Sequence, residues 1–130
     1  VTAEQLGELV DFISIDVAFI SLDKVLPVAT TLLKNTGSLV ALIKPQFEAG
    51  KEKVGKGGIV RERAVHEEVL SRILQVAYDC KLYLHGLTFS PIKGTEGNIE
   101  FLGYFTKSEE GALSITDELI TAVVDEAHTL

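Results

Sequence analysis

The stretch LVDFISIDVAFI, residues 9–20, decides the predicted fold because it is an almost unbroken apolar run. A half-buried strand alternates apolar and polar residues, whereas a strand buried on both faces of a parallel sheet is apolar throughout. We therefore expect residues 10–20 to form a central, parallel strand. Asp16 interrupts the apolar run near the carboxyl end of the predicted strand.

A helix and a second strand are expected directly after this run. Residues 21–37 carry leucine, valine and alanine at helical spacing, so that Ser21 can cap the helix and Gly37 can end it. Pro27 is expected to kink the helix or to mark its true start. Residues 38–45, SLVALIKP, are a second short apolar run, and the three elements together predict one right-handed crossover unit.

The remaining elements predict an α/β fold, with helices packed on the sheet. In chain order they are a helix over 61–79, a strand over 82–89, a strand over 99–105 and a helix over 114–128. Only a loop joins the two later strands, so they are expected to be antiparallel, and Ser114 with Asp117 has the spacing of a capping box. The fold class predicted is a mostly parallel sheet with one reversed strand near its edge.

The predicted sheet leaves one edge open, because the first strand has a neighbour only in the strand over 38–44. Uncovered apolar edges promote aggregation. We interpret this as a sign that amino-terminal strands are missing or that another chain covers the edge, which would allow self-association. The alternative is a small self-sufficient sheet with this strand at its margin.

Composition limits the classes of function. The 130 residues carry a net charge of -7, which disfavours non-specific binding to nucleic acid or to an anionic membrane. No apolar run reaches the roughly 20 residues of a membrane helix, and no secretory leader opens the sequence. Cys80 is the single cysteine and His66, His85 and His128 are scattered, so neither a disulfide nor a metal site is predicted, and a reducing, cytoplasmic compartment is expected.

A glycine- and lysine-rich loop over 46–60 contains GKEKVGKG, residues 50–57, which nearly matches a phosphate-binding loop. Gly57 stands where that motif needs a Ser or Thr to bind magnesium, so a nucleoside triphosphatase is rejected. The basic residues in and just after the loop are candidates to contact RNA phosphates, or they only keep a solvated loop soluble. They are Lys51, Lys53, Lys56, Arg61 and Arg63.

Three charged residues stand at predicted strand ends, where open α/β sheets bind their ligands. They are Asp16, Lys44 and Glu100. Buried charges need partners, so one interpretation is that these groups only neutralise one another. The other interpretation is that a lysine held between carboxylates assists proton loss from a weakly acidic hydroxyl. The two interpretations are compatible.

Cys80 is interpreted as a packing residue at a helix end.

Four blocks of the sequence together resemble the TlyA hemolysin-like family of ribosomal RNA methyltransferases. They are DFISIDVAFISLDKVLP (11–27), LIKPQFEAGKEKVGKGGIVR (42–61), VHEEVL (65–70) and LTFSPIKGTEGNIEFL (87–102). The family is similar to FtsJ-type ribose methyltransferases, which implies a Rossmann-like domain that uses S-adenosylmethionine and is usually preceded by a small S4 RNA-binding domain. The implied activity is 2′-O-methylation of RNA, with ribosomal RNA or a ribosomal subunit as partner.

The resemblance also implies roles for individual residues. Asp16, Lys44 and Glu100 match three members of the family's Lys-Asp-Lys-Glu tetrad. In that scheme Lys44 assists deprotonation of a ribose 2′-hydroxyl, and the two carboxylates orient it. The cofactor would lie against Asp16, Val17 and Phe19, and the RNA would lie against Ser90 and Asn98.

Departures from the family pattern limit the expected activity. Ala18 stands where Ser is commoner, and the S4 domain, the first tetrad lysine and the glycine-rich cofactor loop belong upstream of Val1. We therefore expect residues 1–130 to be the carboxyl-terminal portion of one methyltransferase domain, inactive alone and unable to hold S-adenosylmethionine tightly. Two alternatives remain: a membrane-active cytolysin, and a non-catalytic RNA-binding module of the same fold.

Overall fold

The computed structural model describes residues 9–16, 21–48, 62–90 and 98–129. Within these ranges four strands and four helices form. In chain order they are β1 (Val10–Ile15), α1 (Leu22–Leu32), β2 (Leu33–Ile43), α2 (Pro45–Glu48), α3 (Arg63–Asp79), β3 (Tyr83–Phe89), β4 (Phe101–Thr106) and α4 (Asp117–Ala127).

The four strands make one sheet in the order β1-β2-β4-β3. β1 pairs with β2 in parallel, and β4 pairs antiparallel with both β2 and β3. Three strands therefore run in one direction, and the predicted reversed strand next to an edge is confirmed. The sheet is not mostly parallel in its pairings, because β4 inserts between β2 and β3 and makes two of the three described pairings antiparallel.

β1 is parallel as predicted, but it lies at the edge of the described sheet and not at its centre. Its side chains show the consequence: Ile15 is buried, whereas Phe12 is 57% exposed. Phe12 and Val10 belong to a groove of about 610 Å³ that β1 forms with α1, where Val25 and Val28 are further apolar lining residues. The unbroken apolar pattern thus corresponds to a strand whose outer side is uncovered in the part of the chain described.

α1 begins where the sequence predicts and ends earlier. The side chain of Ser21 accepts a hydrogen bond from the backbone N–H of Asp23, which confirms the predicted cap. Pro27 lies inside the helix and does not mark its start. Gly37 does not end the helix, because α1 stops at Leu32 and Gly37 lies within β2, where the neighbouring strand approaches closely.

The helix predicted over 61–79 is confirmed as α3, which contacts both α1 and α4. Its inward face, which includes Leu70, Ile73 and Leu74, is completely buried and lies at the centre of the core. The predicted capping box of α4 is wrong. Thr116 caps this helix by accepting from the N–H of Leu119, because the helix begins at Asp117 and Thr116, with an extended backbone, directly precedes it.

Substitution of Gly37 by alanine tests the close approach of β1 and β2. A Cβ on Gly37 would lie 2.9 Å from the carbonyl oxygen of Asp11 and 2.5 Å from a methyl carbon of Leu33. We expect Gly37→Ala to lower the free energy of unfolding by about 1–3 kcal/mol, as overpacking usually does. Gly86→Ala is the control, since its Cβ would meet nothing closer than 3.6 Å. Equal stability of the two variants in chemical denaturation would contradict the β1–β2 geometry.

The thiol of Cys80 should react slowly. Cys80 ends α3, packs against the core, and its carbonyl accepts a hydrogen bond from the hydroxyl of Thr30. Partial burial first, and then the negative charge of Asp79, raise the pKa of the Cys80 thiol above its ordinary value. Because the thiolate is the reactive form, we expect alkylation by iodoacetamide near neutral pH to be slower in the folded chain than in the same chain unfolded in urea. Faster alkylation of the folded chain would contradict the packing role.

Candidate active site at one edge of the sheet

Polar residues meet at the edge where β1, β2 and β3 end and β4 begins. Asp16 follows β1, Lys44 follows β2, Ser90 follows β3, and Glu100 precedes β4. The reversal of β4 produces this arrangement, because it places the first residue of β4, Phe101, opposite the last residues of both neighbouring strands. Ligands of open α/β sheets bind at the carboxyl ends of parallel strands, so this edge is the candidate site.

Lys44 and Asp16 form the ion pair at the centre of this edge. The Lys44 Nζ lies 2.5 Å from Oδ1 of Asp16. The Lys44 side chain is 17% exposed and that of Asp16 is 62% exposed, so the ammonium is largely shielded from water and the carboxylate is open to it. A partly buried pair is screened less by salt than a surface pair, and it holds the lysine in one direction.

Glu100 has a different partner from the one the sequence suggested. Glu100 is a buried residue, 7% exposed, and its Oε2 accepts a hydrogen bond from Nε2 of Gln46 at 3.2 Å. Gln46 reaches β4 because α2 begins directly after Lys44, and the N–H of Phe47 donates to the Lys44 carbonyl at 2.9 Å to close the turn. Lys44 and Glu100 thus lie next to the paired residues Ile43 and Phe101, at adjacent strand ends. Lys44 contacts Asp16, and Glu100 contacts Gln46.

Glu48, the last residue of α2, anchors this short helix. Its carboxylate accepts hydrogen bonds from the hydroxyl of Ser21 at 2.5 Å and from the N–H of Leu22 at 2.8 Å. Arg72 of α3 donates to the Glu48 carbonyl at 2.5 Å and lies 3.4 Å from its carboxylate. The Glu48 side chain is only 3% exposed, so these donors satisfy a buried charge at the amino terminus of α1, where the helix dipole favours an anion.

Gln46 and Glu48 are the site residues that the sequence reasoning missed. Both fall in the segment expected to be a loop over 46–60, whereas Pro45–Glu48 is a helical turn. The signal that could have shown it is Pro45, since proline is favoured at the first position of a helix. The polar residues of the IKPQFE block would then have been placed on one turn beside Lys44.

The other predicted site residues take several positions. The N–H of Ser90 donates to the carbonyl of Glu100 at 2.8 Å, which keeps the end of β3 at the site. Asn98 is 1% exposed, and Arg63 forms a surface ion pair of 2.7 Å with Asp125 of α4. The predicted cofactor and RNA contacts that lie outside the described residues are Val17, Phe19, Lys51, Lys53, Lys56 and Arg61.

The histidines make contacts that the sequence did not predict. Nδ1 of the buried His66 lies 2.8 Å from Nε2 of His128, and the His66 ring meets Phe101 edge to face. His85 bonds to the hydroxyl of Thr106 at 2.9 Å. Among the residues described, no three His, Cys, Asp or Glu side chains gather as potential metal ligands, and no helix has the length and apolar character to cross a membrane.

Comparisons with known proteins identify the family to which the sequence is similar. Residues 1–107 match the family described as FtsJ-like methyltransferase. The chain is 49% identical over 124 residues to a Bacillus subtilis protein named "Putative rRNA methyltransferase YqxC", and 34% identical over 113 residues to the Mycobacterium tuberculosis protein named 16S/23S rRNA (cytidine-2′-O)-methyltransferase TlyA. These matches cover 91% and 87% of this chain, and 43% and 42% of the two relatives.

A solved structure gives the same result for the fold. A Streptococcus thermophilus protein that carries the name hemolysin superposes with a TM-score of 0.87 and 44% identity, over 98% of this chain and 46% of its own. The chain therefore spans less than half the length of each of these three relatives. Because the family match covers most of the sequence, and because a relative of high identity shares the fold, the chain belongs to the FtsJ-like methyltransferase family.

Proposed function

We propose that this chain is part of an RNA 2′-O-ribose methyltransferase that acts on ribosomal RNA with S-adenosylmethionine as methyl donor. The observation that carries the proposal is the Lys44–Asp16 ion pair, with Glu100 beside it, at the ligand-binding edge of a methyltransferase-type sheet. The names of YqxC and TlyA support ribosomal RNA as the substrate class. This substrate is consistent with the expected cytoplasmic location.

The residues at the end of β1 fit the proposed donor. When bound, S-adenosylmethionine would supply a methyl group on a positively charged sulfur, and transfer of this methyl to the hydroxyl oxygen would leave the sulfur as a neutral thioether and release the hydroxyl proton to water. The exposed carboxylate of Asp16 suits a cationic group, and it stands where sheets of this type bind ligands. Val17 and Phe19 remain predicted contacts of the donor.

Lys44 would act on the ribose hydroxyl. An ammonium beside the hydroxyl oxygen stabilises the negative charge that develops there, and it does so more strongly when water is largely excluded, as it is around Lys44. Asp16 keeps Lys44 in place, and the Glu100 carboxylate can accept a hydrogen bond from the same hydroxyl. Because the hydroxyl is a weak acid, holding it in line with the methyl group should supply much of the rate.

RNA contacts would come from residues around this edge. Ser90 lies at it, and Arg63 is exposed at the start of α3, although its charge is partly neutralised by Asp125. The buried amide of Asn98 would support the RNA-facing segment more readily than touch RNA. Contact of RNA phosphates with Lys51, Lys53, Lys56 and Arg61 remains a prediction, and it would make binding weaken with salt.

We also propose that residues 1–130 are the carboxyl-terminal portion of a methyltransferase domain, and that further polypeptide of that domain covers β1. The exposed Phe12 and the apolar groove beside α1 support this proposal, because a strand this apolar rarely stays uncovered. The relatives have more than half of their length outside the match, which is enough chain to cover the edge.

Substitution of Lys44 tests the proposed chemistry. In the complete protein that contains this chain, Lys44→Ala should lower kcat for methyl transfer to ribosomal RNA on the order of 100- to 1000-fold, since one stabilising donor is removed. Lys34→Ala is the matched control, because Lys34 forms a comparable pair with Asp11, at 3.1 Å, on the exposed surface. The readout is transfer of labelled methyl groups, with 2′-O-methylation located by its resistance to alkaline cleavage. Wild-type rates for Lys44→Ala would contradict the assignment.

Substitution of Phe12 tests whether further polypeptide packs on β1. If the rest of the domain packs on β1 in the complete protein, Phe12→Ser should lower its free energy of unfolding by roughly 1.5–3 kcal/mol, as expected for a buried aromatic side chain. Leu113→Ser, at another exposed apolar residue, should have a much smaller effect. Equal, small effects would show that β1 stays open, and a concentration-dependent effect in light scattering would assign the edge to self-association instead.

A further inference from the structure

The side-chain amide of Gln46 has one polar atom with a hydrogen-bond partner and one without. Its Nε2 donates to the Glu100 carboxylate, and its Oε1 is buried with no hydrogen-bond partner among the described residues. The amide cannot be turned around to relieve this, because a carboxylate only accepts hydrogen bonds and the NH₂ group must face it. A buried acceptor without a partner is destabilising, whereas the hydrogen bond that Nε2 donates satisfies the buried Glu100 carboxylate.

The position of Gln46 on α2 allows its side chain to hold the Glu100 carboxylate in place. Gln46 lies two residues after Lys44 on the single turn of α2, and Glu48 ties the end of that turn to α1 and α3. The donated hydrogen bond therefore links the segment that contains Lys44 to Glu100, directly before β4. It is the only hydrogen bond seen to the Glu100 carboxylate in the described part of the chain.

We infer that Gln46 is a positioning residue for methyl transfer, which directs the Glu100 carboxylate toward the hydroxyl held by Lys44. This inference rests on the proposed function. Because the free Oε1 is buried, Gln46 acts through Glu100 and does not touch RNA. Loss of the hydrogen bond should therefore affect the chemical step and leave RNA binding intact.

Two variants of Gln46 in the complete protein test the inference. Gln46→Met keeps the length but removes the donor, and we expect kcat to fall on the order of 10- to 100-fold with the KM for RNA within about twofold of wild type, since small misplacements of reacting groups are costly. Because this variant also leaves the buried Glu100 carboxylate without its described donor, its thermal unfolding should occur earlier than that of the wild type, and kcat is compared at a temperature where both are folded.

Gln46→Glu gives a readout that a merely structural role would not change. An ionised carboxyl at this position repels Glu100, whereas a protonated one can donate to it as the amide does. The rate of Gln46→Glu relative to wild type should therefore rise as the pH is lowered, while the relative rate of Gln46→Met should not change with pH.

Gln75 provides the matched control. Its Nε2 donates to Oδ1 of Asp79 at 3.0 Å, which is the same amide–carboxylate contact on the exposed side of α3. Gln75→Met and Gln75→Glu should keep wild-type kcat, KM and pH profile.

The outcomes separate this inference from the function on which it rests. If the wild type transfers methyl groups and both Gln46 variants match it, or if they change only KM, the positioning role is overturned. If Gln46→Met fails to fold, the pH dependence of Gln46→Glu decides: a flat ratio overturns the inference and a rising ratio supports it. If the wild type itself methylates no RNA, the proposed function fails, and the role of Gln46 in that reaction fails with it.

Discussion

The buried carboxylate of Glu48 is the constraint on which the rest of the site depends. A charge that is almost fully withdrawn from water has to be satisfied, and here the donors come from the amino terminus of α1 and from Arg72 of α3. These bonds fix α2 between two long helices. Since α2 begins directly after Lys44, the direction in which Lys44 leaves the sheet is set by a residue that takes no part in the proposed chemistry.

The reversal of β4 is the second requirement for the site. In a parallel arrangement the amino end of the last strand would lie at the opposite edge of the sheet from Lys44. Because β4 runs antiparallel between β2 and β3, its amino end lies beside their carboxyl ends. Glu100, distant in sequence from Lys44, is thereby placed next to it. The loss of parallel pairing and the assembly of the site thus have the same structural cause.

Burial differs across the site in a way that suits the proposed methyl transfer to a hydroxyl. Lys44 and Glu100 are shielded, and Asp16 faces solvent at the end of an exposed edge strand. Shielded charges act strongly on a hydroxyl brought between them, because little water screens them. The open carboxylate is accessible to a cationic ligand.

The helices, strands and caps that depend on neighbouring residues could be predicted from the order of amino acids alone. The spacing of apolar residues predicted α3 almost to the residue, and the serine before α1 predicted the cap at Ser21. The short connection between β3 and β4 predicted their antiparallel pairing, and charged residues after apolar runs predicted the strand ends at Asp16 and Lys44. Such features depend on periodicity and on neighbouring backbone groups, which the order of residues contains. The edge position of β1, the place of Gly37 inside β2, the cap at Thr116 and the Gln46–Glu100 contact were decided only in three dimensions. They depend on which strands pair, how closely they approach and where a one-turn helix points, and these follow from packing between segments far apart in the chain.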